Sequence, residues 1–170
     1  MNLTRHLKEE YIDVDLARGL DLEPAEGEDA LSPKRVDEVK QEILRRLVGL
    51  LAKSGKVGNE SKLFNDLWNR EKKATMALGQ GVVLPHVRTM QAKELAFAVG
   101  VAQTGIPWGA ADGEPARIFI ALVAPPYEDR LYLQFYQRIG RLFEHEGAGE
   151  ALLEAKSAGE IIRYLARGGD

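Results

Sequence analysis

Ile118-Phe119-Ile120-Ala121-Leu122-Val123 is an unbroken apolar run of strand length. Side chains alternate between the two faces of a sheet, so a strand with one solvated face shows a polar residue at every second position. This run shows none and belongs in the middle of a sheet, covered on both faces. Helices must supply that cover. The reading is an α/β fold, a three-layer α/β/α sandwich with a mixed β-sheet flanked by helices.

The neighbouring segments fit that plan. Upstream, Gly105 to Pro115 is dense in Gly, Pro and Asp, with Asp112-Gly113 suited to positive φ, and reads as a hairpin connection to a strand at Leu95 to Ala102. Thr75 to Leu78 and Val82 to Leu84 also read as extended. Within Gly79-Gln80-Gly81-Val82-Val83-Leu84-Pro85-His86 the second of these strands carries a histidine to its end, and Pro85 is expected to stop it there. Downstream, Pro125-Pro126 ends the central strand, and Leu131, Phe135, Ile139, Leu142 and Phe143 recur at helical spacing. Two shorter helices follow, the last opened by Ser157-Ala158-Gly159-Glu160, a capping box.

Nearer the N-terminus, Ile12, Val14 and Leu16 alternate with Asp13 and Asp15 and predict a short strand. Leu20 to Ser32 is an acidic surface loop without a period. Ser32-Pro33 starts a helix, with serine as the cap and proline at the first helical position, and Gly55 ends it. A second helix from about Glu60 to Lys72, capped by Asn59, buries Leu63, Phe64, Leu67 and Trp68 and delivers Arg70 and Glu71 near its end.

At 170 residues and 45% hydrophobic, the chain suits a single domain spanning 1–170. With no cysteine, and three histidines (His6, His86, His145) at no metal-ligand spacing, neither a disulfide nor a bound metal is expected. No cofactor is implied. No apolar run approaches the roughly 20 residues that cross a bilayer, and no signal-peptide core opens the chain, so a cytoplasmic protein without membrane insertion is expected. A net charge of −3 with interspersed signs leaves no footprint for nucleic acid. There is no Gly-x-Ser-x-Gly elbow and no P-loop, which disfavours a serine hydrolase and a nucleotide donor.

Arg70-Glu71, Gly79-x-Gly81-Val82-Val83-Leu84-Pro85-His86, Gly105-Ile106-Pro107-Trp108-Gly109-Ala110-Ala111-Asp112-Gly113 and Ile118 to Pro125, taken together, resemble one family closely. It is the mannitol/fructose-type enzyme IIA domain of the bacterial phosphoenolpyruvate:sugar phosphotransferase system, including its nitrogen-regulatory branch. The resemblance covers nearly the whole chain and is densest from Arg70 to Pro125. It implies a phosphohistidine carrier, a protein-histidine phosphotransferase component. The histidine of the Pro-His motif, here His86, would accept a phosphoryl group from an HPr-like phosphocarrier protein or its nitrogen-branch counterpart. It would pass the group to a IIB domain or use it as a signal. The alternative is a regulatory binding protein whose phosphorylation state controls docking to a kinase or transporter. The lack of an appended IIB or membrane segment within these 170 residues leans the expectation slightly that way.

The resemblance assigns the charge-stabilising arginine to Arg70. A guanidinium holds two phosphoryl oxygens at once, although a cation at a helix C-terminus also serves the dipole. Gly79 and Gly81 would let backbone N–H groups approach the phosphoryl oxygens, or else mark a bulge. Thr75 is either a hydroxyl donor to the site or an ordinary strand threonine, and Arg88 either adds positive charge or is merely solvated. Many relatives carry a second histidine where this chain reads Asp129-Arg130-Leu131-Tyr132-Leu133, so Arg130 and Tyr132 are the candidates for that position. Asp112 is assigned to turn chemistry, and Trp108 and Phe97 to packing. Met76, Val87 and Met90 are candidates for an apolar docking rim. His6 and His145 are expected at the surface.

Overall fold

The computed structural model describes residues 2–168, and its sheet is assembled around the run Ile118 to Val123. Six strands form it among these residues: β1 (Ile12–Asp13), β2 (Ala77–Gly79), β3 (Val82–Val83), β4 (His86–Arg88), β5 (Ala96–Ile106) and β6 (Ala116–Ala124). Their order is β1-β5-β6-β3-β2, with β4 also on β6. β6 runs antiparallel to β5 and parallel to β3 and β4, so the sheet is mixed, as the sequence predicts. The helices are α1 (Pro33–Ala52), α2 (Glu60–Lys73), α3 (Asp129–Glu144), α4 (Ala148–Glu154) and α5 (Ala158–Arg167).

Alternation along β6 assigns the two helical layers. Phe119 meets Trp108 edge to face, and Lys40 of α1 lies over the Trp108 ring, so α1 covers that face. On the opposite face, Ile118 lies against Gly149 of α4. Phe97, the register partner of Leu122, meets Phe135 of α3 there. Residues 118 to 124 are all buried, which is the two-sided cover their apolar run demands.

Two helix starts follow the expected local chemistry. Ser32 caps α1 by accepting from the Arg35 N–H, with Pro33 in the first turn, and Asn59 caps α2 by accepting from Lys62. At α5, Ser157 accepts from Glu160 N–H, but the Glu160 carboxylate takes the Lys156 N–H rather than that of Ser157, so the capping box closes one residue early.

The strand carrying His86 does not stop there. β3 pairs Val82 with Ile118 and Val83 with Phe119; β4 then pairs His86 with Leu122, Val87 with Val123 and Arg88 with Ala124, in unchanged register. Pro85 interrupts the ladder without ending it. It has no N–H to offer, yet its carbonyl accepts from Leu122 N–H at 2.9 Å and holds the register, while the Leu84 N–H turns away to the Met76 carbonyl. β4 emerges with β6 on one side and no strand on the other, an open edge that side chains from a helix can reach.

Other departures have local causes. The alternation at Ile12 to Leu16 yields only two strand residues, because Asp13 Oδ1 accepts from Asp15 N–H at 2.8 Å and turns the chain. Leu16 is still buried, against Gly100. Of the Asp112-Gly113 pair in the β5–β6 connection, Gly113 takes positive φ and Asp112 does not. Phe64, Trp68, Leu131 and Phe143 are half-buried rather than core. His6 is not simply at the surface: it is half-buried, edge-on to Phe135 at 5.0 Å.

Candidate active site

His86 opens β4, and its side chain faces α3. Its ring Nδ1 lies 2.6 Å from the Leu84 carbonyl oxygen. A carbonyl can only accept, so this contact requires a proton on Nδ1 and leaves the lone pair on Nε2. The Leu84-Pro85 lead-in supplies the geometry, since the ladder gap frees the Leu84 carbonyl to meet the ring two residues on. The ring is half-buried and lines a cavity of about 600 Å³ with Arg70, Arg88, Tyr132 and Tyr136. Burial pushes the imidazole pKa below its ordinary 6.5; the Leu84 hydrogen bond opposes that, and Arg70 adds to it. The outcome is a neutral, nucleophilic ring in an orientation its neighbours set.

A buried polar network lies behind the histidine. Glu71 is 3% exposed. One of its carboxylate oxygens accepts from Met76 N–H (2.9 Å) and Trp108 Nε1 (3.0 Å), and the other from Lys40 Nζ (3.0 Å), which also donates to the Trp108 carbonyl. Such a group is tolerated inside a protein only when its lone pairs are taken up in this way. The network reaches the site through Met76, whose carbonyl accepts from Leu84 N–H and whose sulfur lies 3.3 Å from the His86 N–H that donates to it. Met76 therefore belongs to the support beneath the histidine and not to an exposed docking rim. The adjacent Arg70 is fixed on the last turn of α2 and projects to the open edge beside β4, exposed, with no ion pair among the described residues.

Across the cavity stands α3. The Tyr136 ring lies 5.0 Å from the His86 ring and that of Tyr132 lies 6.3 Å away. Burial raises the Tyr132 phenol to about 12, Arg88 opposing and Tyr136 adding, so it stays protonated at any physiological pH. Arg88, two residues past His86 and on the same strand face, stacks 5.6 Å from the Tyr132 centroid and forms an ion pair with Asp129, the first residue of α3.

The remaining sequence candidates lie elsewhere. Gly79 and Gly81 are not in the cavity. With Gln80 they take three successive positive φ angles (+87°, +56°, +81°) at the β2–β3 turn. Asp112 Oδ2 accepts from Gln80 N–H at 2.7 Å and locks that turn; Gln80 and then Glu114 N–H groups hold the Asp112 carboxyl below its ordinary range. Gly81 is five strand residues from His86, about 16 Å. Thr75 is exposed and accepts from Ala77 N–H, closing its own turn. Arg130 is exposed and outside the cavity, since two helical residues separate it from Tyr132 by roughly 200°. Val87 and Met90 do sit beside the site, the latter 75% exposed. Sequence reasoning missed Tyr136, Asp129 and the network on Glu71. Tyr136 alone left a signal, standing one helical turn after Tyr132.

Solved structures of the same fold are IIA proteins. The nitrogen regulatory protein IIA-Ntr of Neisseria meningitidis superposes with a TM-score of 0.78 at 21% identity, covering 97% of this chain and 99% of that one. The IIA mannitol structure of Escherichia coli gives 0.70 at 21% identity over 94% and 99%. The chain belongs to the phosphoenolpyruvate-dependent sugar phosphotransferase system EIIA 2 family, whose model matches residues 33–168. The resemblance read from the motifs is thus borne out. Among curated relatives, the fructose-specific EIIA component of Haloferax volcanii is 28% identical over 127 residues, 75% of this chain and 82% of that protein. The fructose-specific EIIABC component of Bacillus subtilis is also 28% identical over 126 residues, 74% of this chain but 20% of that longer protein. No helix among the described residues is long and apolar enough to cross a membrane.

Proposed function

We propose that this chain is a cytoplasmic phosphohistidine carrier of the phosphotransferase system, in which His86 takes a phosphoryl group from an HPr-like phosphocarrier protein and yields it to a IIB domain. The observation that carries this reading is the Nδ1 contact with the Leu84 carbonyl, which commits Nε2 to the open cavity beside Arg70. The Nε2 lone pair attacks phosphorus in line, the P–N bond of the donor phosphohistidine breaks, and the donor imidazole departs with that bond's electron pair. Nδ1 keeps its proton throughout, donating it to the Leu84 carbonyl. Little further covalent work is needed, because phosphoryl transfer depends mainly on positioning and charge. Arg70 supplies the charge: one unit pair at 4 Å and an effective dielectric near 20 amounts to about 4 kcal/mol, an upper figure for an exposed cation screened by solvent. The family membership supports the donor and acceptor classes, and the whole 1–170 chain is taken as one domain.

One observation favours a signalling use. Tyr132, the candidate for the second-histidine position that lines the cavity, keeps its proton, so it cannot exchange one with the His86 ring near neutral pH. Incubation with phosphoenolpyruvate, enzyme I and HPr should give an acid-labile mass increase that His86→Ala abolishes; no increase overturns the carrier reading. Adding IIB domains then separates the uses, since a transport component discharges rapidly to IIB and a regulator does not.

A further inference from the structure

We infer that Arg88 is a second phosphoryl ligand held in reserve by Asp129, and that phosphorylation of His86 moves it from that carboxylate to the new phosphoryl group. This rests on the carrier reading above.

Three observations converge. His86 and Arg88 pair with Leu122 and Ala124, so they stand two residues apart on one face of β4 and line one cavity. The Arg88 guanidinium is neutralised by Asp129 and rests over the Tyr132 ring, which itself lies 6.3 Å from the His86 ring. The pair is partly exposed, 45% for Arg88 and 61% for Asp129, so its strength is modest and its geometry can change. Before transfer, Arg88 has one carboxylate as partner. Afterwards the cavity holds a group of charge roughly −1.5 to −2 with three acceptor oxygens, a stronger partner for a forked donor than a single exposed carboxylate. The flat Tyr132 ring lets the guanidinium slide across it without losing its cation–π contact. Asp129 acts through Arg88 and is a positioning residue.

The exchange also accounts for the tyrosine. A histidine at position 132 would compete with Arg88 for the phosphoryl oxygens, whereas a protonated phenol in the inner wall supplies a surface for the arginine instead. Once Arg88 leaves, Asp129 is uncompensated at the first turn of α3, where the helix N-terminus still favours a carboxylate. The first turn of α3 is thereby sensitive to whether His86 carries phosphate.

Phosphoramidate tests this without any protein partner: its P–N bond breaks, ammonia leaves with the hydrogens it already holds, and the phosphorus bonds to Nε2. The readout is the half-life of the phosphohistidine after donor removal, followed by phosphorus NMR on the full chain. Arg88→Gln should shorten it about tenfold. Asp129→Asn should lengthen it about two- to fivefold, the worth of an exposed ion pair, and Asp129→Glu should restore the original value. In the double variant Arg88→Gln/Asp129→Asn the half-life should equal that of Arg88→Gln alone, because the carboxylate acts only through the arginine. An unchanged or shortened half-life in Asp129→Asn overturns the exchange, as does independent addition of the two effects. No adduct on the unsubstituted chain overturns the carrier reading and this inference together; an adduct with no response at Asp129 overturns this inference alone. Circular dichroism melts of each variant verify that the fold is kept, which the exposure of both side chains favours.

Discussion

The two ends of the β3–β4 strand each open onto a cavity, and the larger is the wrong one for an anion. At the Gly81 end a space of about 810 Å³ is lined by Asp112, Glu114, Glu144, Glu146 and Glu150, with Arg117 as its one arginine. At the His86 end a space of about 600 Å³ is lined by Arg70 and Arg88 and by no carboxylate. A phosphoryl dianion entering the first meets five like charges; entering the second it meets the unpaired Arg70 guanidinium, the Arg88 guanidinium held by Asp129, and a neutral imidazole. The backbone differs in the same direction. The glycine end spends its unusual φ angles on its own turn and offers its N–H to Asp112, whereas the histidine end uses a gap in the ladder to expose a carbonyl that orients a ring. Under the proposed function, size and glycine content do not locate the phosphoryl site; the unpaired guanidinium of Arg70 beside an oriented imidazole does.

The largest effect that sharpens this contrast is the complete loss of phosphoryl acceptance in His86→Ala, against full acceptance in His145→Ala at the other cavity. Label retained by His86→Ala would move the site. Next in size is Glu71→Ala, which leaves the Lys40 ammonium buried without its partner and strips the Met76 and Trp108 donors. Breaking a buried pair in this way removes about 3–5 kcal/mol of stability, read as a urea midpoint. Glu71→Gln keeps one acceptor and should fall between. A melt unchanged in Glu71→Ala would mean that the network does not support the histidine end.

A smaller effect tests the glycine end. Gly81 has φ +81°, and a Cβ there would stand 3.3 Å from the Pro115 carbonyl oxygen. Gly81→Ala should therefore cost about 1–2 kcal/mol of stability while phosphorylation of the folded protein proceeds at the original rate. A folded Gly81→Ala that no longer accepts phosphate would return that turn to the site.

The same contrast explains what could be read from the chain beforehand. β6 and the start of α1 were legible because their signals are local: an apolar run without alternation, and Ser32-Pro33. The Pro-His pair, which carries the proposed nucleophile, was legible for the same reason. Glu71, by contrast, meets Lys40 and Trp108 across 31 and 37 residues, a separation no local pattern records. The glycines misled because positive φ serves a tight turn and a phosphate cradle equally, and only the distance along β3 and β4 tells them apart. Of the two candidates for the second-histidine position, Tyr132 stands on the buried face of α3 and lines the cavity, and Arg130 points away from it.

The smallest expected effect concerns protons. The folded His86 pKa lies below 6.5, through burial first, with Leu84 opposing and Arg70 reinforcing; His6 is also lowered, by burial and then by Lys56 and Arg5. In the unfolded chain both titrate near 6.5. Between each folded pKa and 6.5 the unfolded chain binds protons that the folded chain does not, so stability rises with pH across that window, is complete above 6.5 and erodes below it. Urea midpoints taken between pH 5 and 7.5 should decline on the acid side, and His86→Gln should remove part of that decline without changing the neutral plateau. His6→Gln should remove another part. Phosphorylation by phosphoramidate, corrected for the donor's own ionisation, should stay level from pH 7.5 down to 6.5 because the ring is still neutral there. A rate that already falls above 6.5 would mean that the imidazole is charged at neutral pH. The histidine end would then have lost what distinguishes it, a nucleophile kept neutral among cations.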